Sequence, residues 1–277
     1  MSQLSLRSLG RAEVVRDGQP VKWEAESSRD LVFFLLAHPE GRTREDIIQG
    51  LWQEDPSARS SNRFRVALHR ARAALGAPGR IAEVYGVYRL SDEVLRASDV
   101  FRLYAALAEA EHAGGDARLQ ALSQALAEYG GDFLPHLQAE WVQTAREEHL
   151  SAYTRACLER SVLHCEHLQC ELAVQDLVAA LRRDPFLGEN HHQKLMTCLS
   201  VVEGKYAATE HYRRFLRFLR EDLNDAPMPE TVDLAGRIKR GERICHHGQP
   251  EVRLTHNCPF TADGRCPGPY AELLKLV

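Results

Sequence analysis

The sequence is poor in aromatic residues and has no long apolar run. Phe, Trp and Tyr make up 7% of the 277 residues, whereas Leu and Ala are abundant, and this balance favours helices over sheets. No apolar stretch approaches the roughly 20 residues needed to cross a membrane. The first residues also lack the basic stretch and apolar run of a signal peptide. We therefore expect a cytoplasmic protein with no membrane partner.

The seven cysteines are an odd number, and no two of them have Cys-x-x-Cys spacing. Scattered cysteines in a chain of this length do not indicate an extracellular disulfide framework. We interpret four of them, which lie in helical patterns, as small reduced core residues. These are Cys157, Cys165, Cys170 and Cys198. The sequence also lacks a phosphate-binding loop, a nucleophile motif and a clear carboxylate pair, so an enzyme is not expected.

Charge is distributed unevenly, although the net charge is only −4. Residues 1–90 contain 14 Lys and Arg against 11 Asp and Glu, while residues 91–277 contain 21 against 28. The stretch 58–82 has no acidic residue, and every basic residue in it is an arginine. These arginines are Arg59, Arg63, Arg65, Arg70, Arg72 and Arg80. The planar guanidinium suits phosphate and guanine, so this stretch favours nucleic-acid contact over a solvated helix face, which usually mixes charge signs.

Short strands are predicted at both ends of the first 90 residues. The pattern over 4–23, with the turn signal Asp17-Gly18, predicts strands that include a hairpin. Two further strands are predicted over 81–84 and 87–90, joined by a turn at Tyr85-Gly86. Two of the three helices predicted between these strands have start signals. The first, over about 28–38, has Ser27 or Ser28 as its cap, and the second starts where Thr43 and Asp46 have capping-box spacing.

The third helix, from about Ser60 to Leu75, is predicted to have two chemically different faces. Its apolar face carries Phe64, Leu68, Ala71 and Leu75. The candidate DNA contacts lie on or beside the opposite face. Those for base edges are Asn62, Arg65, Val66 and His69, and those for phosphates are Arg63, Arg70 and Arg72. Strands, three helices and a terminal hairpin predict a winged helix-turn-helix, with Arg89 as the cationic contact of the wing.

From residue 99 only helical periodicity remains, up to about residue 240. The predicted helices cover 99–113, 117–129, 139–167, 171–183, 189–202, 206–223 and 230–240. An internal match at an offset of 35 residues is close to the 34-residue tetratricopeptide period. It relates Ala173, Leu177, Ala180 and Leu181 to Ala208, Tyr212, Phe215 and Leu216. His191-His192, at the start of a helix, is interpreted as a surface pair. The predicted fold class is mainly α: an N-terminal winged helix-turn-helix in 1–92, an all-α tetratricopeptide-like domain in 97–240, and a tail in 241–277.

Several short stretches occur in a characteristic order over residues 4–240. They are Leu9-Gly10, Asp17-Gly18, Leu51 to Asp55, Asn62 to Leu75, Tyr88 to Leu90, and Gly130 to Pro135 followed by Glu140-Trp141. Their order resembles the bacterial transcriptional activators that join a PhoB/OmpR-type winged helix to a bacterial transcriptional activator domain (BTAD), among them the antibiotic-regulatory activators of actinobacteria. Relatives commonly place Gly directly before the Tyr-Arg-Leu triplet, whereas this chain has Val87 there and Gly86 one residue earlier.

The resemblance implies binding to double-stranded promoter DNA, often as tandem copies on direct repeats, and contact with RNA polymerase. It implies that the loop between the second and third helices, about Trp52 to Arg59 and including Glu54 and Asp55, touches the polymerase. It also implies that the helical domain serves dimerisation or signal reception, so a homodimer is expected at least on DNA.

The tail is dense in residue types that bind metals. Zinc prefers thiolate and imidazole ligands, and a segment without a core gains most from a metal. The candidate ligands are Cys245, His247, Cys258 and Cys266, although their spacing is not that of standard zinc fingers. A redox pair of Cys258 with Cys266, an iron–sulfur cluster with a further ligand, and an ordinary tail with incidental thiols remain open alternatives. No cofactor is expected, and zinc in this tail is one hypothesis beside these alternatives.

The sequence therefore predicts a DNA-binding transcriptional activator without catalytic activity. A second hypothesis is a helical-repeat interaction scaffold that does not bind DNA, because helical repeats build concave binding surfaces. The two hypotheses differ in salt dependence, since counterion release makes DNA affinity fall steeply as salt rises.

Overall fold

The structure, a computed structural model, describes residues 3–245, which divide into two compact units between Ala152 and Tyr153. This division does not coincide with the predicted boundary between 1–92 and 97–240. The first unit contains the whole winged-helix region together with helices that follow it. The predicted domain boundaries therefore stay a prediction, and most of the predicted tail lies outside the described residues.

The first unit begins with strands and helices that alternate along the chain. Its strands are β1 (Leu4–Arg7), β2 (Glu13–Arg16), β3 (Gln19–Pro20), β4 (Arg42–Thr43), β5 (Ile81–Val84) and β6 (Val87–Leu90). Its helices are α1 (Glu26–Ala37), α2 (Arg44–Trp52), α3 (Ala58–Leu75), α4 (Asp92–Arg96), α5 (Asp99–His112), α6 (Gly115–Glu128) and the first part of α7 (Glu140–Glu166). The strands form two antiparallel sheets with the orders β1-β2-β3 and β4-β6-β5. The predicted mainly α fold with an N-terminal winged helix is confirmed.

The N-terminal sheet follows its predicted hairpin. Asp17 and Gly18 take φ values of 52° and 77°, which is the left-handed geometry of a tight hairpin turn. In the resulting register Leu6 lies opposite Val14, and both side chains are buried. One face of the sheet therefore contributes directly to the core.

The starts of α1 and α2 differ in how they are capped. The predicted serine cap of α1 is wrong, because the helix starts at Glu26 and its N-cap is Ala25. The Ser28 hydroxyl instead donates to the Ala25 carbonyl at 2.6 Å. The predicted capping box of α2 is confirmed, with Thr43 and Asp46 bonded reciprocally. The hydrogen bond from the Thr43 hydroxyl lowers the pKa of the Asp46 carboxyl.

The C-terminal sheet is larger than the sequence predicts, because the two-residue strand β4 adds to the hairpin of β5 and β6. Arg42 lies opposite Tyr88 in this pairing. Gly41, just before β4, has φ +92°, and a Cβ there would lie 2.6 Å from Cγ1 of Val87. Only glycine combines that backbone angle with so close an approach. The wing is thereby fixed to the segment between α1 and α2.

A close backbone contact joins the N-terminal sheet to the loop after α6. The Gly10 N–H donates to the Asp132 carbonyl at 2.9 Å, and Leu9 forms a bridge with Phe133. A Cβ on Gly10 would lie 2.8 Å from the Gly130 backbone, and one on Gly130 would lie 2.8 Å from the Leu9 carbonyl oxygen. Two of the glycine-containing stretches that carry the family resemblance therefore meet in space.

The second unit contains the rest of α7 and four further helices. These are α8 (Cys170–Arg183), α9 (Glu189–Val202), α10 (Lys205–Asp222) and α11 (Pro229–Arg240). Each packs against the next, and α8 and α10 begin 35 residues apart, which matches the offset of the predicted repeat. Ala173 and Leu177 of α8 and their counterparts Ala208 and Tyr212 of α10 are all buried. The tetratricopeptide-like prediction agrees with this packing of successive helix pairs.

The interpretation of His191-His192 as a surface pair is wrong. Their exposed fractions are 7% and 6%. His192 lies 3.2 Å from His211 of α10, from ring nitrogen to ring nitrogen, and stacks on Phe215 with 3.9 Å between ring centroids. Residues of α10 cover His192 at the start of α9, so this side chain is enclosed.

Candidate nucleic-acid interface

Helix α3 has sharply defined ends. Ser57 is its N-cap and forms a capping box with Ser60, which satisfies backbone groups that the helix leaves open. At the other end Gly76 has φ +93°, and its N–H reaches the carbonyl oxygens of Arg72 and Ala73 at 3.0 Å each. The 18 residues between these caps give a helix about 27 Å long.

The two faces of α3 are those that the sequence predicts. The apolar residues Phe64, Leu68, Ala71 and Leu75 are buried, together with Ser60 and Ala67. The opposite face is exposed and polar, except for Val66 and Ala73. Its exposed residues include Asn62, Arg63, Arg65, Val66, His69 and Ala73. A helix anchored on one side and exposed on the other has the shape that groove insertion requires.

Arg63 faces the loop before α3. Its Nη1 lies 2.6 Å from Oε1 of Glu54, and its guanidinium carbon lies 4.5 Å from the centroid of the Trp52 ring. A predicted phosphate contact therefore pairs with two residues of the predicted polymerase-contact loop.

Arg70 and Arg72, the other predicted phosphate contacts, are half-buried and also have partners. Arg70 lies 3.1 Å from the carboxylate of Glu24. Arg72 donates twice to the Ile81 carbonyl, at 3.1 Å and 2.8 Å, and so joins α3 to β5. These contacts orient both guanidinium groups at the side of the helix.

Arg80, in the same arginine-rich stretch, is a structural residue. Its exposed fraction is 6%, and it donates to the Leu75 carbonyl and, at 2.7 Å, to Glu93. It therefore fastens the end of α3 to α4 and is not part of an external surface.

Arg65 differs from these arginines because it has no hydrogen-bond or ion-pair partner within residues 3–245. It is exposed, and it lines a cavity of about 420 Å³ along the C-terminal half of α3. Leu68, His69 and Arg72 line the same cavity, which the turn after Gly76 closes. Arg65 and His69 therefore present polar groups to solvent beside this cavity.

Arg16 is a cation at this surface that the sequence analysis did not identify. It extends from β2 and donates to the carbonyl oxygens of Ala73 and Ala74, at 3.1 Å and 2.8 Å. A cation at the C-terminus of a helix is favoured by the helix dipole. No local sequence signal could have found Arg16, because its partners lie 57 and 58 residues later.

The wing presents one predicted residue and one that was missed. Arg89 is exposed on β6 and has no partner within the described part of the chain. Tyr85, at the tip, has a fully exposed side chain and φ 52°. Its exposure could have been suspected from its position in a two-residue turn. The turn also explains the displaced glycine, because Gly86 takes φ +80° while Val87 pairs with Val84.

The predicted polymerase-contact residues lie in a short ordered loop. Helix α2 ends at Trp52, and Gln53 then takes the left-handed conformation with φ 52°. The Asp55 carbonyl accepts a hydrogen bond from the Ser60 hydroxyl at 3.0 Å, while Asp55 itself is exposed. Trp52 and Glu54 are half-buried because they contact Arg63.

Comparison with protein families decides the class of the molecule. The bacterial transcriptional activator domain, BTAD, matches residues 97–239, just over half of the chain. The chain belongs to the BTAD family. Members of this family are transcriptional regulators.

Two similar proteins extend the likeness of this BTAD protein beyond the matched domain. It is 28% identical to the regulatory protein AfsR of Streptomyces coelicolor over 242 residues, which cover 84% of this chain and 24% of AfsR. It is also similar in fold to Mycobacterium tuberculosis EmbR in complex with a low-affinity phosphopeptide. That structure aligns with a TM-score of 0.70 and 22% identity, over 87% of this chain and 66% of the EmbR chain. The chain thus spans about a quarter of AfsR and just under two thirds of EmbR.

Two findings concern other sites of this BTAD protein. Within residues 3–245, no helix is long and apolar enough to cross a membrane, and no group of three His, Cys, Asp or Glu side chains could hold a metal ion. Of the predicted zinc ligands, His247, Cys258 and Cys266 lie outside the described residues. Cys245 is half-buried and lines a cavity of about 450 Å³ together with Cys170.

Proposed function

We propose that this protein is a transcriptional activator that inserts α3 into the major groove of promoter DNA. The observation that carries the proposal is the exposed polar face of α3, on which Arg65 has no partner within residues 3–245. A buried apolar stripe holds the helix on the opposite side. The major groove admits one helix, and arginine is the side chain that most often reads guanine there.

The base-reading residues in this proposal are Asn62, Arg65, Val66 and His69. All four are exposed on α3, so none needs to leave a buried position. The amide of Asn62 can bind adenine and the guanidinium of Arg65 can bind guanine, in each case through two hydrogen bonds. Val66 offers an apolar contact for a thymine methyl group.

The phosphate contacts are Arg70, Arg72 and Arg89. Glu24, the partner of Arg70, has a side chain that is 74% exposed, so a phosphate can replace it at small cost. Arg72 uses two donor groups on Ile81, and the five N–H groups of a guanidinium leave others for a phosphate. In this proposal the wing lies beside the backbone or in the minor groove, and the exposed side chains of Arg89 and Tyr85 support this role.

The Arg65→Ala variant tests base reading. The full chain first selects its preferred sequence from a random pool of duplexes, and affinity is then measured on the selected and on a scrambled duplex. We expect Arg65→Ala to weaken binding to the selected duplex about 5- to 150-fold, since one bidentate base contact contributes about 1–3 kcal/mol. Affinity for the scrambled duplex should change little. Arg217→Ala, which removes an exposed arginine of α10, is the matched control. An equal loss on both duplexes would place Arg65 on a phosphate.

A helical-repeat scaffold that binds protein instead of DNA is the second candidate, and the successive helix pairs of the second unit favour it. Salt separates the two functions. We expect log affinity to fall linearly with log salt, with a slope of about −0.9 for each phosphate neutralised. No measurable duplex binding at low salt would favour the scaffold.

The proposal has two further parts. The protein contacts RNA polymerase through Trp52, Glu54 and Asp55, and it forms a homodimer on DNA. Sedimentation of the full chain with and without the selected duplex measures the dimer. Two copies on a duplex with a direct repeat are expected, and a single copy at saturation would contradict dimerisation.

Zinc in the tail stays a prediction. Metal analysis of the purified full chain tests it: bound zinc whose content falls in Cys258→Ser would support a metal site in the tail. Absence of metal from the unaltered protein would leave the redox pair or incidental thiols.

A further inference from the structure

One side of α3 contacts the loop before it while staying partly exposed. Ser57, Ser60 and Arg63 follow one another at three-residue spacing and therefore lie on the same side. Ser60 is fully buried, and its hydroxyl donates to the Asp55 carbonyl at 3.0 Å. Arg63, one turn further along, reaches back to Glu54.

The contacts of Arg63 enclose its guanidinium between two loop residues. The Trp52 ring lies 4.5 Å from the guanidinium carbon, and Oε1 of Glu54 lies 2.6 Å from Nη1. The guanidinium stacks on an aromatic ring with its face and donates with its edge, so both contacts form at once. The side chains of Arg63 and Glu54 remain 46% and 36% exposed.

This arrangement spans the whole connection between α2 and α3. Trp52 is the last residue of α2, Gln53 takes a left-handed conformation without being glycine, and α3 begins at Ala58. A non-glycine residue with positive φ is disfavoured, so contacts elsewhere must hold it in place. Arg63 supplies two such contacts, one on each side of Gln53.

We propose that Arg63 is a positioning residue that fixes the 53–57 loop, and that its main partner is the loop rather than DNA. The proposal rests on the function proposed above, because it concerns the loop implied to touch RNA polymerase. It predicts that loss of Arg63 impairs activation much more than DNA binding. Loss of Arg65, two residues later on the exposed face, is expected instead to impair DNA binding and to leave the order of the loop unchanged.

The experiment compares the full-length variants Arg63→Ala, Arg63→Lys, Glu54→Gln and Arg65→Ala. Amide hydrogen exchange of residues 53–57, measured without DNA, reports loop order. Affinity for the selected duplex and transcription by RNA polymerase from a template carrying that sequence are measured on the same preparations.

We expect exchange in 53–57 to accelerate about tenfold in Arg63→Ala and by a smaller factor in Glu54→Gln, because loss of an ion pair and a stacking contact favours local opening. DNA affinity should fall less than about threefold, the effect expected for one exposed charge, while transcription falls more steeply. Arg63→Lys keeps the charge, and with it an ion pair to Glu54, but loses the planar stacking, so it should restore DNA affinity and only part of the slow exchange. In Arg65→Ala, exchange should stay unchanged while DNA affinity falls.

Unchanged exchange in Arg63→Ala, with a loss of DNA affinity equal to that of Arg65→Ala, would overturn the proposal and assign Arg63 to a phosphate. Complete rescue of slow exchange by Arg63→Lys would count against the contribution of stacking. If the unaltered chain selected no DNA, the proposed function would fail, but the exchange measurement would still decide whether Arg63 orders the loop.

Discussion

Asp99 is a buried carboxylate in the first unit, with an exposed fraction of 3%. It accepts hydrogen bonds from the Ser8 N–H at 2.7 Å, the Ser8 hydroxyl at 2.8 Å and the Leu9 N–H at 2.8 Å. It also lies at the N-terminus of α5, where the helix dipole favours a negative charge. One side chain thus satisfies two backbone donors of the segment after β1.

We expect Asp99→Asn to destabilise the protein by about 2–4 kcal/mol. The amide oxygen can accept from the Ser8 and Leu9 N–H groups, which share Oδ2 of Asp99, but the NH₂ group then faces the Val100 N–H, which donates to Oδ1 at 2.9 Å and loses its acceptor. The charge that strengthens all these bonds is lost as well. Urea unfolding followed by circular dichroism measures the change. Asp92→Asn, an exposed carboxylate in the first turn of α4, is the control and should cost about 1 kcal/mol or less. Equal losses in both variants would contradict a special role for Asp99.

At the scale of elements, the approach of β1 to the loop after α6 depends on two glycines. Gly10 requires a positive φ of +90°, whereas Gly130 has an ordinary φ and is needed only because the Leu9 carbonyl oxygen would lie 2.8 Å from its Cβ. The glycine at 130 is therefore explained by packing alone. The sequence marks it as a helix break, and only the fold shows what it contacts.

Gly130→Ala is expected to lower the free energy of unfolding by about 1–3 kcal/mol, the usual cost of overpacking, because the added methyl group must push the β1 segment away. The control is Gly114→Ala at the start of α6, where nothing lies within 4 Å of the added Cβ. The control should change stability by less than about 1 kcal/mol. A Gly130→Ala protein as stable as the control would show that the backbone moves freely at this contact.

At the scale of the whole molecule, both units contain histidines that are neutral in the folded state. Burial lowers the pKa of His149 in the first unit to about 4. In the second unit it lowers the pKa of His191 and His211 to about 4 and that of His192 to about 3. The ordinary value is 6.5, so protons bind more readily to the unfolded chain than to the fold.

Stability is therefore expected to be fully present above pH 6.5 and to fall as the pH decreases from 6.5 towards 4. Each histidine contributes up to about 1.4 kcal/mol per pH unit within this window. Urea unfolding at pH 7.0, 6.0 and 5.0 measures the slope above the ordinary carboxyl range. Replacement of His149 by Gln should reduce this slope of unfolding free energy against pH. A free energy of unfolding that stays constant from pH 6.5 to 5.0 would contradict the claim that burial keeps these histidines neutral.

The sequence by itself determined the C-terminal end of α3, its buried stripe and the two hairpin turns, whereas α3 begins at Ala58, two residues before the predicted start. These features depend on side-chain spacing, caps and glycines within a few residues of one another, so local physics suffices. The same analysis could not find β4, whose two residues are strands only because β6 lies beside them.

Tertiary structure decided which arginines of one uniform stretch remain available at the surface. Arg80 pairs with Glu93, Arg72 with the Ile81 carbonyl and Arg63 with Glu54. Arg65 has no such partner in residues 3–245. The partners lie 9 to 13 residues away on other elements. It likewise decided that His191 and His192 are enclosed, because burial depends on which neighbouring helix covers a face, and helical periodicity carries no information about that neighbour.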